Sequence, residues 1–131
     1  MPFVRISLLK TVSKNDRKKI SAAIHHALMA EFDIPQFDYF HVIDALEPDD
    51  LFFPKSYLGI DHVADMAYIQ IIAGSGRNYD QKKQLFAAIA NRISEVTKIR
   101  KEDVIIILVE NGGKENWSFG NGEIQDLPHI K

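Results

Sequence analysis

The sequence predicts an α+β fold in which two fused βαβ units form a four-stranded sheet with both helices on one face. Three observations carry the prediction. An alternating strand pattern stands at the head of the chain, two stretches of helical periodicity are each followed by a strand, and the same residue pattern returns about 65 residues later.

Residues 3–9, FVRISLL, alternate Val4, Ile6 and Leu8 against Arg5 and Ser7, the period of a strand with one covered face. Ser13 with Asp16 resembles a helix start, and Ile20, Ile24, Ala27 and Leu28 then recur at helical spacing opposite Arg17, Ser21 and His25. This predicts a helix over about 14–32. Pro35 ends the pattern, since proline has no N–H to continue it, and DYFHVID at 38–44 reads as a second strand. Residues 46–66 hold two prolines and an acidic pair with no clear period, an excursion with room for a short hairpin. AYIQIIA at 67–73 is the next strand and GSGRN at 74–78 a turn. Asn78 with Gln81 caps a helix whose apolar face is Leu85, Ile89, Ile93 and Val96, ending near 97. The unbroken apolar run VIIILV at 104–109 predicts a strand buried on both faces.

The two halves overlay. Asp16-Arg17-Lys18-Lys19 falls on Asp80-Gln81-Lys82-Lys83, and Ile34 followed by Asp38 falls on Ile99 followed by Asp103. Residues 1–131 therefore read as a single domain with pseudo-repeat halves at about 2–45 and 67–110. With two helices on one face, the other face of the sheet needs cover from the 46–66 excursion or from a second copy, and oligomerisation is the expectation.

Composition narrows the function classes. A net charge of -2 provides no concentrated basic face, so no nucleic-acid partner is expected, and the Lys14, Arg17, Lys18, Lys19 run reads as the wet side of a helix. Without cysteine there is no thiolate nucleophile and no disulfide. No signal pattern opens the chain and no apolar stretch approaches the roughly 20 residues that span a bilayer, so a cytoplasmic protein without membrane contact is expected.

Among chemistry-bearing patterns, HExxH, GxSxG and the Walker loop are absent from the sequence, and GSGRNY does not complete GxGxxG. His25 and His26 are adjacent on a helix and point roughly 100° apart, while His41, His62 and His129 are scattered, so no metal or other cofactor is expected. What stands out is Met1-Pro2 immediately before a strand. If Met1 is removed, Pro2 carries a secondary amine, and burial or a nearby cation would lower its pKa toward neutrality, as general acid/base catalysis needs. Arg77 follows a glycine-rich turn at a helix start, where backbone N–H groups already favour an anion; it reads equally as a carboxylate clamp or an exposed loop arginine. Asp38 opens the second strand, placed to orient a water or accept a proton, or simply to end a strand in solvent. Trp117 and Phe119 suit a pocket wall or a subunit contact, and equally a pin that holds the tail to its own domain.

Taken together these positions resemble the tautomerase superfamily, and within it the branch of malonate semialdehyde decarboxylase and its tautomerase-like relatives. The resemblance runs from Pro2 to about Glu123. It rests on Pro2, on Ile34-Pro35 with Asp38, on Arg77 followed by Asp80-Gln81-Lys82, and on Val109-Glu110-Asn111 leading to Trp117-Ser118-Phe119-Gly120. It implies a homotrimer without cofactor, acting on a small 2-oxo or unsaturated carboxylic acid. Pro2 would be the catalytic acid/base, Arg77 would bind or polarise the carboxylate or carbonyl, Asp38 would assist, and Trp117 and Phe119 would line the substrate pocket. The decarboxylase has a second arginine where this chain has Ser75. A single arginine favours keto-enol tautomerisation by a neutral Pro2. The alternatives are a decarboxylase or hydratase with a cationic Pro2, and a trimeric binding or signalling module with a silent amine.

Overall fold

The computed structural model describes residues 1–62 and 65–126; His129 lies outside them. The chain runs β1 (Phe3–Leu9), α1 (Lys14–Phe32), β2 (Phe40–Leu46), β3 (Ser56–Tyr57), β4 (Ile60–Asp61), β5 (Ala67–Ala73), α2 (Tyr79–Val96) and β6 (Val104–Glu110), with single 3-10 turns between. The main sheet has the order β2-β1-β5-β6. Each half contributes a parallel pair, β1 with β2 and β5 with β6, and the halves join where β1 meets β5 antiparallel. This is the predicted pair of βαβ units.

Each boundary has a local cause. The Ser13 side chain accepts from the Asp16 N–H and starts α1. The Asn78 and Gln81 side chains satisfy each other's backbone N–H groups in a capping box that starts α2. Helix α1 ends on Asp33, whose left-handed backbone (φ 56°, ψ 36°) lets its N–H return to the Leu28 carbonyl. The second strand begins two residues later than its sequence pattern suggests, because Asp38 N–H bonds Pro35 O and Tyr39 N–H bonds Phe37 O in a turn.

The alternation of β1 resolves as predicted. Val4, Ile6 and Leu8 face the helices and are fully buried with Ile69 and Ile71 of β5, Ile20, Ile24 and Leu28 of α1, and Leu85, Ile89 and Ile93 of α2. Removing one such side chain costs about 2–5 kcal/mol through lost transfer energy and the cavity left behind. A second small cluster, Leu9, Leu51 and Met66, ties the 46–66 excursion to the opposite face. The excursion contains the short hairpin β3-β4, whose turn needs the positive φ of Gly59. It is fastened by the Tyr68 hydroxyl donating to Phe52 O and by Arg100 donating to Asp61 O.

One sequence expectation needs correction. Strand β6 is not buried on both faces within one chain: it is an edge strand, with Ile107 56% and Val109 40% exposed. Its apolar second face belongs to the open side of the sheet, which the excursion covers only in part.

Candidate active site

The topology gathers the candidate residues at one end of the sheet. Phe3 pairs with Phe40 on one side and Ile72 on the other, so the segments before β1 and β2 and the segment after β5 meet there. Asn111 joins them, its N–H donating to Ala73 O at 2.7 Å. Pro2, Asp38 and Arg77, far apart in sequence, come to this end.

Met1 and Pro2 are both buried. The Met1 α-amine lies 3.1 Å from Asp38 Oδ2, and Asp38, at 6% exposure, is one of two buried acidic side chains among the described residues. Burial removes the carboxylate from water, and the facing ammonium supplies an opposite charge in return.

Beside this pair is a cavity of about 440 Å³ between the end of α1 and the turn into α2. Met1, Asp33, Pro35, Ser75, Arg77 and Gln81 are among its walls. Arg77 is held before any ligand arrives: Nη2 donates to Phe32 O at 2.9 Å, Nη1 donates to Gly74 O at 3.3 Å, and the guanidinium carbon sits 4.7 Å from the centre of the Phe32 ring. Nε and one N–H on each Nη remain for a planar acceptor such as a carboxylate. Burial lowers the Arg77 pKa, while the charges of Asp33 and Glu110 act to raise it. Glu110 is itself held below the usual carboxylate range by Lys82, which donates to it at 2.5 Å, and it accepts from the Gly76 backbone. The glycine-rich turn is thus tied to the end of β6.

The loop after β6 packs on the same turn. At Gly112 a Cβ would stand 2.6 Å from Ser75 Oγ, so a larger residue requires the Ser75 hydroxyl to turn away. Trp117 donates from Nε1 to Asn111 O at 3.0 Å and stacks on Phe119 (centroids 5.4 Å, 7° between planes), which packs against Phe40. This aromatic pair borders the open sheet face beside Phe3 and is not among the residues lining the Arg77 cavity. Within one chain Met1 is the link, paired with Asp38 and lining the cavity with Arg77, whereas Pro2, Asp38, Trp117 and Phe119 are not among the residues that line that cavity.

Two groups escaped sequence reasoning. Asp33 lines the cavity, and nothing in the helical period marks a residue that follows the last apolar position. His25, read as a helix neighbour of His26, and His41, read as scattered, approach to 6.2 Å between ring centres, with Ser21 Oγ 2.8 Å from His41 Nδ1. Their meeting depends on α1 packing over β2. Burial, and secondarily the nearby His25, push the His41 pKa down to about 4.

The fold and this site define a class of α+β proteins built from two fused βαβ units, with an anion-ready cavity at the shared end of the sheet. Two family models, each described as tautomerase enzyme, match residues 38–120 and residues 2–58. The chain is 39% identical over 125 residues to the probable tautomerase YusQ of Bacillus subtilis (strain 168), covering 95% of this chain and 98% of that protein. It is 26% identical to the probable tautomerase YrdN of the same organism, covering 97% of each. Among solved structures, FG41 malonate semialdehyde decarboxylase inhibited by 3-bromopropiolate superposes with a TM-score of 0.87 at 31% identity, over 94% of this chain and 92% of that one. The chain belongs to the tautomerase enzyme family. No helix among the described residues is long and apolar enough to cross a membrane.

Proposed function

We propose that the chain catalyses keto-enol tautomerisation of a small 2-oxo acid, with the nitrogen of Pro2, freed by loss of Met1, moving the proton. The observation that carries this reading is the position of Met1: its amine reaches Asp38 at 3.1 Å while the residue itself helps wall the cavity that holds Arg77. The Pro2 nitrogen lies roughly 3 Å further along the chain by covalent geometry. In this reading, loss of Met1 frees the secondary amine of Pro2 next to the place that Met1 holds between Asp38 and the cavity.

The chemistry follows from the parts. A neutral amine takes a proton from the enol oxygen or the carbon next to the carbonyl and returns it at the other position. Arg77 holds the substrate carboxylate in its spare N–H fork. Asp38 stabilises the protonated amine between the two transfers, and since the same charge also acts on the resting amine, the neutral base depends on burial to oppose it. Trp117 and Phe119 reach a substrate from a neighbouring subunit's side in a homotrimer, for which the exposed apolar strip of Phe3, Phe40, Ile107 and Val109 provides contact area. A fused 4-OT of the same fold (TM-score 0.76, 16% identity) is described as a symmetric trimer.

A second reading is favoured by the 31% identity to malonate semialdehyde decarboxylase: a cationic Pro2 acting as an acid in decarboxylation or hydration. Against it stands Ser75 packed on Gly112, which leaves Arg77 as the one basic side chain lining the described cavity. A pH-rate profile for ketonisation of the phenylpyruvate enol separates the two. Activity that rises with pH through the amine pKa supports the neutral base, and activity confined below that pKa contradicts it.

A further inference from the structure

Gln81 stands on the wall of the Arg77 cavity with its side chain already oriented. At the third position of α2 its backbone N–H donates to Asn78 Oδ1 at 2.9 Å, and its side-chain Oε1 accepts from the Asn78 N–H at 3.0 Å. A backbone N–H can only donate, so this box settles which end of the Gln81 amide is oxygen. The end left over is the NH2 group, with two donors, and among the described residues nothing accepts from it. Glutamate would supply the same capping oxygen, and its charge would suit the positive end of the helix, so the cap alone does not call for an amide.

A 2-oxo acid brings two kinds of acceptor. The Arg77 fork suits the carboxylate. The 2-oxo oxygen sits on the neighbouring carbon and gains negative charge as the enolate forms, so it needs a donor of its own. Three side chains on the cavity wall can donate, Arg77, Ser75 and Gln81. Ser75 has its Oγ on the Gly112 side of the turn, where a Cβ would stand 2.6 Å away. Gln81 is the donor that is both held in orientation and without an acceptor.

We infer that the Gln81 NH2 group donates to the 2-oxo oxygen of the substrate, with the capping box holding the amide in the donating orientation. This rests on Arg77 as the carboxylate clamp and on the 2-oxo acid reading proposed above. No proton changes hands at Gln81: the amine moves the proton between carbon and oxygen, and the amide holds the oxygen while its charge rises and falls.

The test uses two variants that both remove the NH2 group. Gln81→Glu keeps the oxygen that caps α2, and Gln81→Met loses it. Pyruvate and propanoate share the carboxylate and differ in the oxo group, so the ratio of their affinities, measured by NMR titration of the full chain, cancels the repulsion that Gln81→Glu adds. Wild type is expected to hold pyruvate about fivefold or more tightly than propanoate, and both variants to bring the two acids within about twofold, with the melting temperature kept in Gln81→Glu. For the phenylpyruvate enol, kcat is expected to fall about 10²-fold in Gln81→Met. Equal affinity of wild type for the two acids, or an oxo preference that persists in either variant, overturns the inference; so does a preference lost in Ser75→Ala and kept in the Gln81 variants. A preference lost in both Gln81 variants, with no turnover of the enol by wild type, upholds Gln81 as an oxo-group donor and defeats the tautomerase reading. Turnover at full rate in both variants with the preference intact defeats Gln81 alone.

Discussion

The α-amine of Met1 and the carboxylate of Asp38 form an ion pair at 3.1 Å, with both side chains nearly withdrawn from solvent. Asp38 is thereby a ready seat for a protonated amine at the head of β1. Once Met1 is gone, the amine nearest that seat is the ring nitrogen of Pro2.

Pro2→Ala is the first consequence. Alanine also permits Met1 removal but replaces a secondary ring amine with a freely rotating primary one. Turnover of the phenylpyruvate enol should fall about 10²-fold or more, the range assigned to a positioned acid/base, with the fold unchanged by circular dichroism. A silent binding module would show no change in ligand affinity and no turnover in either form.

Arg77 is held by two backbone carbonyls and the Phe32 ring, so its fork is set before substrate binds. Arg77→Lys retains charge and loses the planar fork, and KM should rise about tenfold with a smaller change in kcat. A larger fall in kcat than rise in KM would place the guanidinium's contribution in the transition state instead.

The contact between Ser75 and Gly112 makes a paired prediction. Gly112→Ala forces the Ser75 hydroxyl to shift beside the turn that carries Arg77, and KM is expected to rise a few-fold with stability lowered by about 1 kcal/mol. Adding Ser75→Ala should restore most of both. Thermal melts and kinetics of the two single variants and the double measure the coupling, and strict additivity would show the contact to be unimportant.

His41 gives stability a pH dependence. Its ring lies between Ser21, which contacts Nδ1 at 2.8 Å, and the rings of His25 and Tyr39, and burial holds its folded pKa near 4 against an ordinary 6.5. The folded state keeps His41 neutral. Below pH 6.5 the unfolded chain takes up a proton that the folded chain refuses, so stability falls as pH drops from about 6.5 toward 4. Melting temperatures across that window should decline in wild type and decline less in His41→Gln, whatever the variant's stability at neutral pH.

The sequence made much of this legible because the relevant signals are local or repeated. Val4, Ile6 and Leu8 announce β1, Asn78 and Gln81 announce the start of α2, and the recurrence of Asp16-Arg17-Lys18-Lys19 in Asp80-Gln81-Lys82-Lys83 announces the duplicated unit. Pro2, Asp38 and Arg77 were legible as separate candidates, and the topology puts their segments at one end of the sheet, since β1 and β2 start where β5 ends. Less legible was whatever depends on three-dimensional neighbours. The apolar run at 104–109 reads as doubly buried because an apolar pattern does not distinguish a central strand from an edge strand whose second apolar face is open in the single chain. Asp33 carries no signal in the sequence, because it lines the cavity only through the fold. Asp38 reads as a strand residue, whereas the turn at Pro35 to Tyr39 lifts it out of the strand and toward the amine.

The most direct test is one sample measured twice, by intact mass and by the rate of enol ketonisation, on protein isolated from its natural source. The account predicts a mass lacking Met1 and a rate that drops to background when a form retaining Met1 is prepared. Full activity in protein whose mass still includes Met1 would contradict it, because the Pro2 nitrogen would then be an amide with no proton to move.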